Sequence, residues 1–77
     1  MAELTLLLRR AKRNNETKLD LSGKDISFLP NDLYTLTKLE ILNLSNNKIV
    51  TLDEKINELK NLKVIDLTGN SLSDLPK

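Results

Sequence analysis

The stretch Leu39-Glu40-Ile41-Leu42-Asn43-Leu44-Ser45-Asn46-Asn47-Lys48-Ile49-Val50-Thr51-Leu52 decides the fold. Its aliphatic residues do not stand alone, because the same columns recur at a spacing of 23 residues on either side. Leu19, Leu42 and Ile65 align, as do Leu21, Leu44 and Leu67. Ile26, Ile49 and Leu72 follow, then Leu29, Leu52 and Leu75. Leu33 matches Ile56, Leu36 matches Leu59, Leu39 matches Leu62, and Asn47 matches Asn70. No insertion or deletion interrupts this register from Leu19 to Leu75. Self-similarity at such a period marks a repeat architecture in which each unit buries its apolar face only by stacking on a neighbour.

Each column has a physical reading. Alternation through Leu42 and Leu44 predicts a short strand with every second side chain turned inward, and strands of successive units would pair in a parallel sheet. An inward asparagine at 47 and 70 offers both donor and acceptor to backbone that water cannot reach. Ile49, Leu52, Ile56 and Leu59 line the return path. There Asp53 to Leu59 reads as a short helix with an aspartate cap, and Pro30 and Pro76 share the Asp53 column, where proline suits a helix start. The first unit is degenerate, with Glu16 in the leading leucine column and Lys24 in the asparagine column.

Outside the repeat, Leu4, Leu7, Leu8 and Ala11 form an apolar stripe at helical spacing. Arg9, Arg10, Lys12 and Arg13 crowd the end of this helix, where positive charge complements the macrodipole. Asn14 and Asn15 would then stop it. The stripe is expected to cover Leu19, Leu21 and Leu29 of the first unit.

From about residue 16 to its end the chain resembles a leucine-rich repeat protein, matching the pattern L-x-x-L-x-L-x-x-N-x-I/L-x-x-L. A basic helix, then Asn14-Asn15-Glu16-Thr17-Lys18-Leu19-Asp20-Leu21-Ser22-Gly23, then Ile26 and Leu29-Pro30, is similar to the helical N-terminal cap of intracellular members, such as the repeat regions of Roco-type GTPase proteins and the Ras-suppressor group. The expected fold is an α/β solenoid with a short parallel sheet on its concave face, short helical segments on its convex face and a capping helix. The expected division is a cap over residues 1–15 and three repeats over 16–77, the last incomplete. Only Pro76 and Lys77 follow the Leu75 column. The sequence therefore predicts an N-terminal piece of a longer solenoid, or a chain whose last repeat packs on further repeats or another chain.

Composition bounds the function. The 77 residues contain neither cysteine nor histidine, which removes thiolate, disulfide and imidazole chemistry. Twelve basic and eleven acidic residues leave a net charge of +1, so no global field draws nucleic acid or a membrane. Aromatics are 3%, which leaves no stacking platform for bases. The absence of cysteine and of an export signal predicts a cytoplasmic setting. No catalytic, cofactor-binding or metal-binding residues are expected. Ser22, Ser71 and Ser73 have no base partner, and Asp20 and Asp66 sit on a shallow face with nothing to raise a pKa.

The family resemblance implies binding of a protein through the concave face. The candidate residues are Lys18, Asp20, Ser22, Ile41, Asn43, Ser45, Val64, Asp66 and Thr68. They fall into three columns: Lys18, Ile41, Val64; Asp20, Asn43, Asp66; and Ser22, Ser45, Thr68. Two alternative roles remain. The chain would be a structural cap-plus-repeat unit that assembles with more solenoid, or the regulatory repeat segment of a larger signalling enzyme.

Overall fold

A computed structural model of the chain describes residues 2–72. Its elements run α1 (Ala2–Arg13), β1 (Lys18–Asp20), a 3₁₀ segment (Asn31–Thr35), β2 (Ile41–Asn43), a second 3₁₀ segment (Glu54–Glu58) and β3 (Val64–Asp66). The strands form one parallel sheet in the order β1-β2-β3. Leu19, Leu42 and Ile65 stand opposite one another across it.

One side of the sheet faces the core. Leu21, Leu42, Leu44, Ile26 and Ile49 are fully buried there, and Leu33, Leu36 and Leu39 close the far side. Helix α1 contributes Leu4, Leu8 and Ala11 to this cluster, with Leu7 half-buried. It packs against the first 3₁₀ segment. Leu21 is sealed, while Leu19 and Leu29 are half-buried against the same cluster. The helix ends where the asparagine pair predicts. Asn15 adopts φ 52. The Glu16 N–H donates to the Ala11 carbonyl and the Asn15 N–H to the Lys12 carbonyl. This is the paired bonding of a Schellman stop.

The return segments are 3₁₀ rather than α. Five residues must carry the chain across the back of the coil, and a 3₁₀ helix covers about 2.0 Å per residue against about 1.5 Å for an α-helix. Asp53 caps the second segment, accepting from the Lys55 N–H at 2.9 Å. Pro30 takes the equivalent cap position at φ −71, ψ 157, one residue before the helical start assigned from sequence. Its ring fixes the extended entry that Asp53 reaches with φ −67, ψ 144. Pro76 and Leu75 lie outside the described residues.

The strands are shorter than the alternation suggests. Alternation in the third repeat runs on through Leu67 and Thr68, yet the strand stops at Asp66. The cause is a turn repeated in each unit: Gly23, Asn46 and Gly69 all take positive φ, at 62, 57 and 76. At Gly69 the positive φ strains any side chain, and one added there would also displace the Asn46 amide, so glycine suits the position.

The inward asparagines stitch the coils. The Asn47 oxygen accepts from the N–H groups of Lys24 (2.9 Å) and Ile26 (3.0 Å). Its amide nitrogen donates to the carbonyls of Leu21 and Leu44, both at 2.9 Å. Asn70 repeats the arrangement one coil later, with the Ile49 N–H at 3.0 Å and the carbonyls of Leu44 and Leu67 at 2.8 and 3.0 Å. Each asparagine thus reaches into the coil before its own. The first repeat has no earlier coil of this kind, which explains why Lys24 is tolerated in that column.

Candidate functional site

The outer face of the sheet carries the residues that period-2 alternation turns away from the core. The parallel register sets Lys18 beside Ile41 and Ile41 beside Val64, then Asp20 beside Asn43 and Asn43 beside Asp66. Neighbouring strands lie about 4.8 Å apart, so each row spans roughly 10 Å. Ser22, Ser45 and Thr68 stand just beyond the strand ends.

The rows differ in freedom. In the first, Lys18 is exposed, and Ile41 and Val64 keep 37% and 52% of their surface open. Glu40 and Lys63, one residue ahead of that aliphatic pair, approach to 3.8 Å at the surface. The second row is tied to local backbone. The Asp20 carboxylate accepts from the Ser22 N–H at 2.9 Å and the Ser22 hydroxyl at 2.7 Å. Asn43 does the same for Ser45, at 2.9 and 2.7 Å. Asp66 accepts from the Thr68 N–H at 3.0 Å. These are Asx turns. They hold the strand ends and commit the second and third rows to each other.

The turns also set the electrostatics. Hydrogen bonds from the Ser22 hydroxyl and then its N–H hold the Asp20 carboxyl below the usual carboxylate value. For Asp66 the Thr68 N–H contributes first and its hydroxyl second, again lowering the pKa. Both groups are therefore firm anions at neutral pH, fit to accept hydrogen bonds and unfit to donate a proton. Tyr34 moves the other way, raised by burial and by the negative charge of Asp53.

A shallow cleft of about 250 Å³ between α1 and the first turn is lined by Glu3, Leu4, Gly23, Lys24, Asp25 and Ile26. Among the described residues no group of three or more carboxylates could hold a metal ion, and no helix is long and apolar enough to cross a membrane.

Two surface features were not drawn from the sequence, one on this face and one away from it. The Asx turns had a visible signal in the thrice-repeated spacing Asp20-x-Ser22, Asn43-x-Ser45, Asp66-x-Thr68. Phe28, 86% exposed on the loop after β1, had none.

The family model for leucine-rich repeats in two copies matches residues 37–77, more than half of the chain. Acidic leucine-rich nuclear phosphoprotein 32 family member A of Drosophila melanogaster is 43% identical over 74 residues, covering 94% of this chain and 28% of its own length. Ras suppressor protein 1 of Bos taurus is 45% identical over 65 residues, covering 82% of this chain and 24% of its own. Probable serine/threonine-protein kinase roco5 of Dictyostelium discoideum is 43% identical over 77 residues, which is 3% of its length. The chain spans about a quarter of the first two relatives. Both groups named in the sequence resemblance, Roco-type and Ras-suppressor, are among these matches.

Proposed function

This chain belongs to the leucine-rich repeat family, and from that membership we propose that it is a recognition scaffold, binding a protein partner through the outer, concave face of its sheet. The observation that carries the reading is the first row. Ile41 and Val64 stand side by side in exact strand register, open to solvent, beside the charged Lys18. Aliphatic side chains in register offer a partner apolar contact, and the Asx turns behind them hold the face rigid, which lowers the ordering cost of binding. Lys18, Asp20, Ser22, Asn43, Ser45, Asp66 and Thr68 supply the polar rim. The role is that of a scaffold, not a catalyst, in a cytoplasmic setting free of disulfide chemistry.

A second reading rests on Leu62, Ile65, Leu67 and Leu72, which stay half-buried where their counterparts one coil earlier are sealed. Further repeats or a second chain stacking there would complete their burial. In a longer signalling enzyme the same stack would serve as the regulatory repeat segment.

The test is affinity capture with the wild-type chain and with the Ile41→Glu/Val64→Glu variant, followed by rebinding of purified candidates. A partner that binds the wild type and loses about tenfold or more with the variant supports the face, since truncating central apolar contacts costs on that scale. Partners that rebind both forms equally would remove the sheet face from the proposal.

A further inference from the structure

The outward side of α1 carries a second surface with a different chemistry. Leu6, Arg9, Arg10 and Arg13 follow the spacing i, i+3, i+4, i+7, so they share one helical face. That face is opposite the buried Leu4, Leu8 and Ala11. Leu6 is 61% exposed and all three arginines are exposed. No carboxylate among the described residues pairs with any of them. Arg9 borders a shallow cleft that Asp32 also lines, without forming an ion pair.

The helix dipole favours positive charge at the end of α1 but does not select arginine over lysine. Any cation near the last turn would complement it, and the Asn14, Asn15 and Glu16 N–H groups already satisfy the carbonyls of Arg10, Lys12 and Ala11. What stands out is the choice of side chain. These three are all the arginines in the chain; every other cationic side chain is lysine. Arginine differs from lysine in its planar fork, which meets a carboxylate with two parallel hydrogen bonds.

We propose that Leu6, Arg9, Arg10 and Arg13 form a docking surface for an acidic segment of a protein partner, one that sets an aliphatic side chain over Leu6 and carboxylates against the three guanidinium groups. Charge complementarity selects this occupant. A second copy meeting the same face would oppose three positive charges with three more. A membrane is the weaker fit, because one leucine and three arginines give little insertion and the rest of the chain carries a net negative charge, with eight lysines against ten acidic residues once Lys12 and Glu3 are set aside with the helix. This surface is independent of the sheet face and lies on a different element.

The experiment titrates the 77-residue chain with a fluorescent peptide of glutamates bearing one leucine, by anisotropy. Phosphatidylserine-containing vesicles and oligothymidylate are titrated in parallel. The expected result is peptide binding that weakens as salt is raised and falls about tenfold or more in Arg9→Gln/Arg10→Gln/Arg13→Gln, as the loss of three exposed charge pairs implies. The Arg→Lys triple variant, which keeps charge and loses the fork, falls a few-fold. Ile41→Glu/Val64→Glu leaves the peptide affinity unchanged, which separates this surface from the sheet face. Circular dichroism of each variant confirms the helix. Equal affinity of wild type and Gln variant, equal affinity of wild type and Lys variant, or tighter binding of vesicles or oligothymidylate than of the peptide would overturn the proposal.

Discussion

The second and third repeats carry nearly the same aliphatic columns, yet they are buried differently. Leu39, Leu42, Leu44 and Ile49 are fully sealed. Their counterparts Leu62, Ile65, Leu67 and Leu72 are only half-buried. The asparagine column shows the same contrast. Asn47 keeps 6% of its surface open, whereas Asn70, with the same kinds of partner, is half-buried. A column in this fold therefore has no fixed energetic value. Its value is set by whether a coil lies on both sides or on one, as nearest-neighbour stability requires.

The sharpest way to break this comparison is to place the same charge in both coils. Leu44→Asp puts a carboxylate where the aliphatic side chain is wholly enclosed. A buried charge without a partner costs more than about 3 kcal/mol, a large share of the roughly 4–12 kcal/mol available to a chain this size. The expected outcome is loss of the cooperative melt. Leu67→Asp can turn its carboxylate toward water and should keep a folded, less stable chain. Thermal melts by circular dichroism read both, and equal losses would show that the two coils are not energetically distinct.

Asparagine removal should give a smaller effect in the same order. Asn47→Ala leaves the Lys24 and Ile26 N–H groups and the Leu21 and Leu44 carbonyls without this partner. An orphaned buried group costs about 1–3 kcal/mol. We expect a loss of about 2–4 kcal/mol for Asn47→Ala and about half of that for Asn70→Ala, where water can replace part of what is lost. Urea titrations would measure the difference, and a larger loss at Asn70 would reverse the ranking of the coils.

Much of this arrangement was legible from the chain alone. A register of eight columns without a gap points to stacked repeats, so the parallel sheet followed from spacing; the N-terminal helix followed from the stripe Leu4, Leu7, Leu8 and Ala11, and the inward asparagines from the family resemblance. The helix stop followed from Asn14-Asn15, because few residues other than glycine take positive φ readily. Strand length was harder to read. Alternation continues through Ser22, Ser45 and Thr68, while the left-handed residue that ends each ladder is glycine in two repeats and asparagine in one, and asparagine gives a weaker signal. The outer face was legible as rows but not as commitments. That Asp20, Asn43 and Asp66 are all tied depends on the hydrogen bonds each accepts from the residue two positions on. The exposure of Leu6 amid arginines is a helical-wheel fact, hidden behind the stronger stripe of Leu4, Leu8 and Ala11.

The smallest effect sharpens the comparison by pH. The middle repeat makes its Asx turn with an amide, Asn43, and the flanking repeats make theirs with carboxylates, Asp20 and Asp66. Both carboxyl groups have folded pKa values below the ordinary one, held there by hydrogen bonds from Ser22 and Thr68. The unfolded value is about 3.9. A depressed folded pKa means that the unfolded chain binds the proton more readily. The stability these groups contribute is therefore complete above the unfolded pKa and is lost as pH falls through the folded one. Asp20→Asn/Asp66→Asn keeps the turn, on the pattern of Asn43, and removes the titration. Near neutral pH the variant should melt close to the wild type. Below about pH 4 it should gain on the wild type, whose turns then lose their charged acceptors. Parallel thermal melts across this range test the sign. A gap between the two proteins that stays constant with pH would mean that the Asx turns of the outer repeats behave like the uncharged turn between them, and that all three repeats hold their strand ends in the same way.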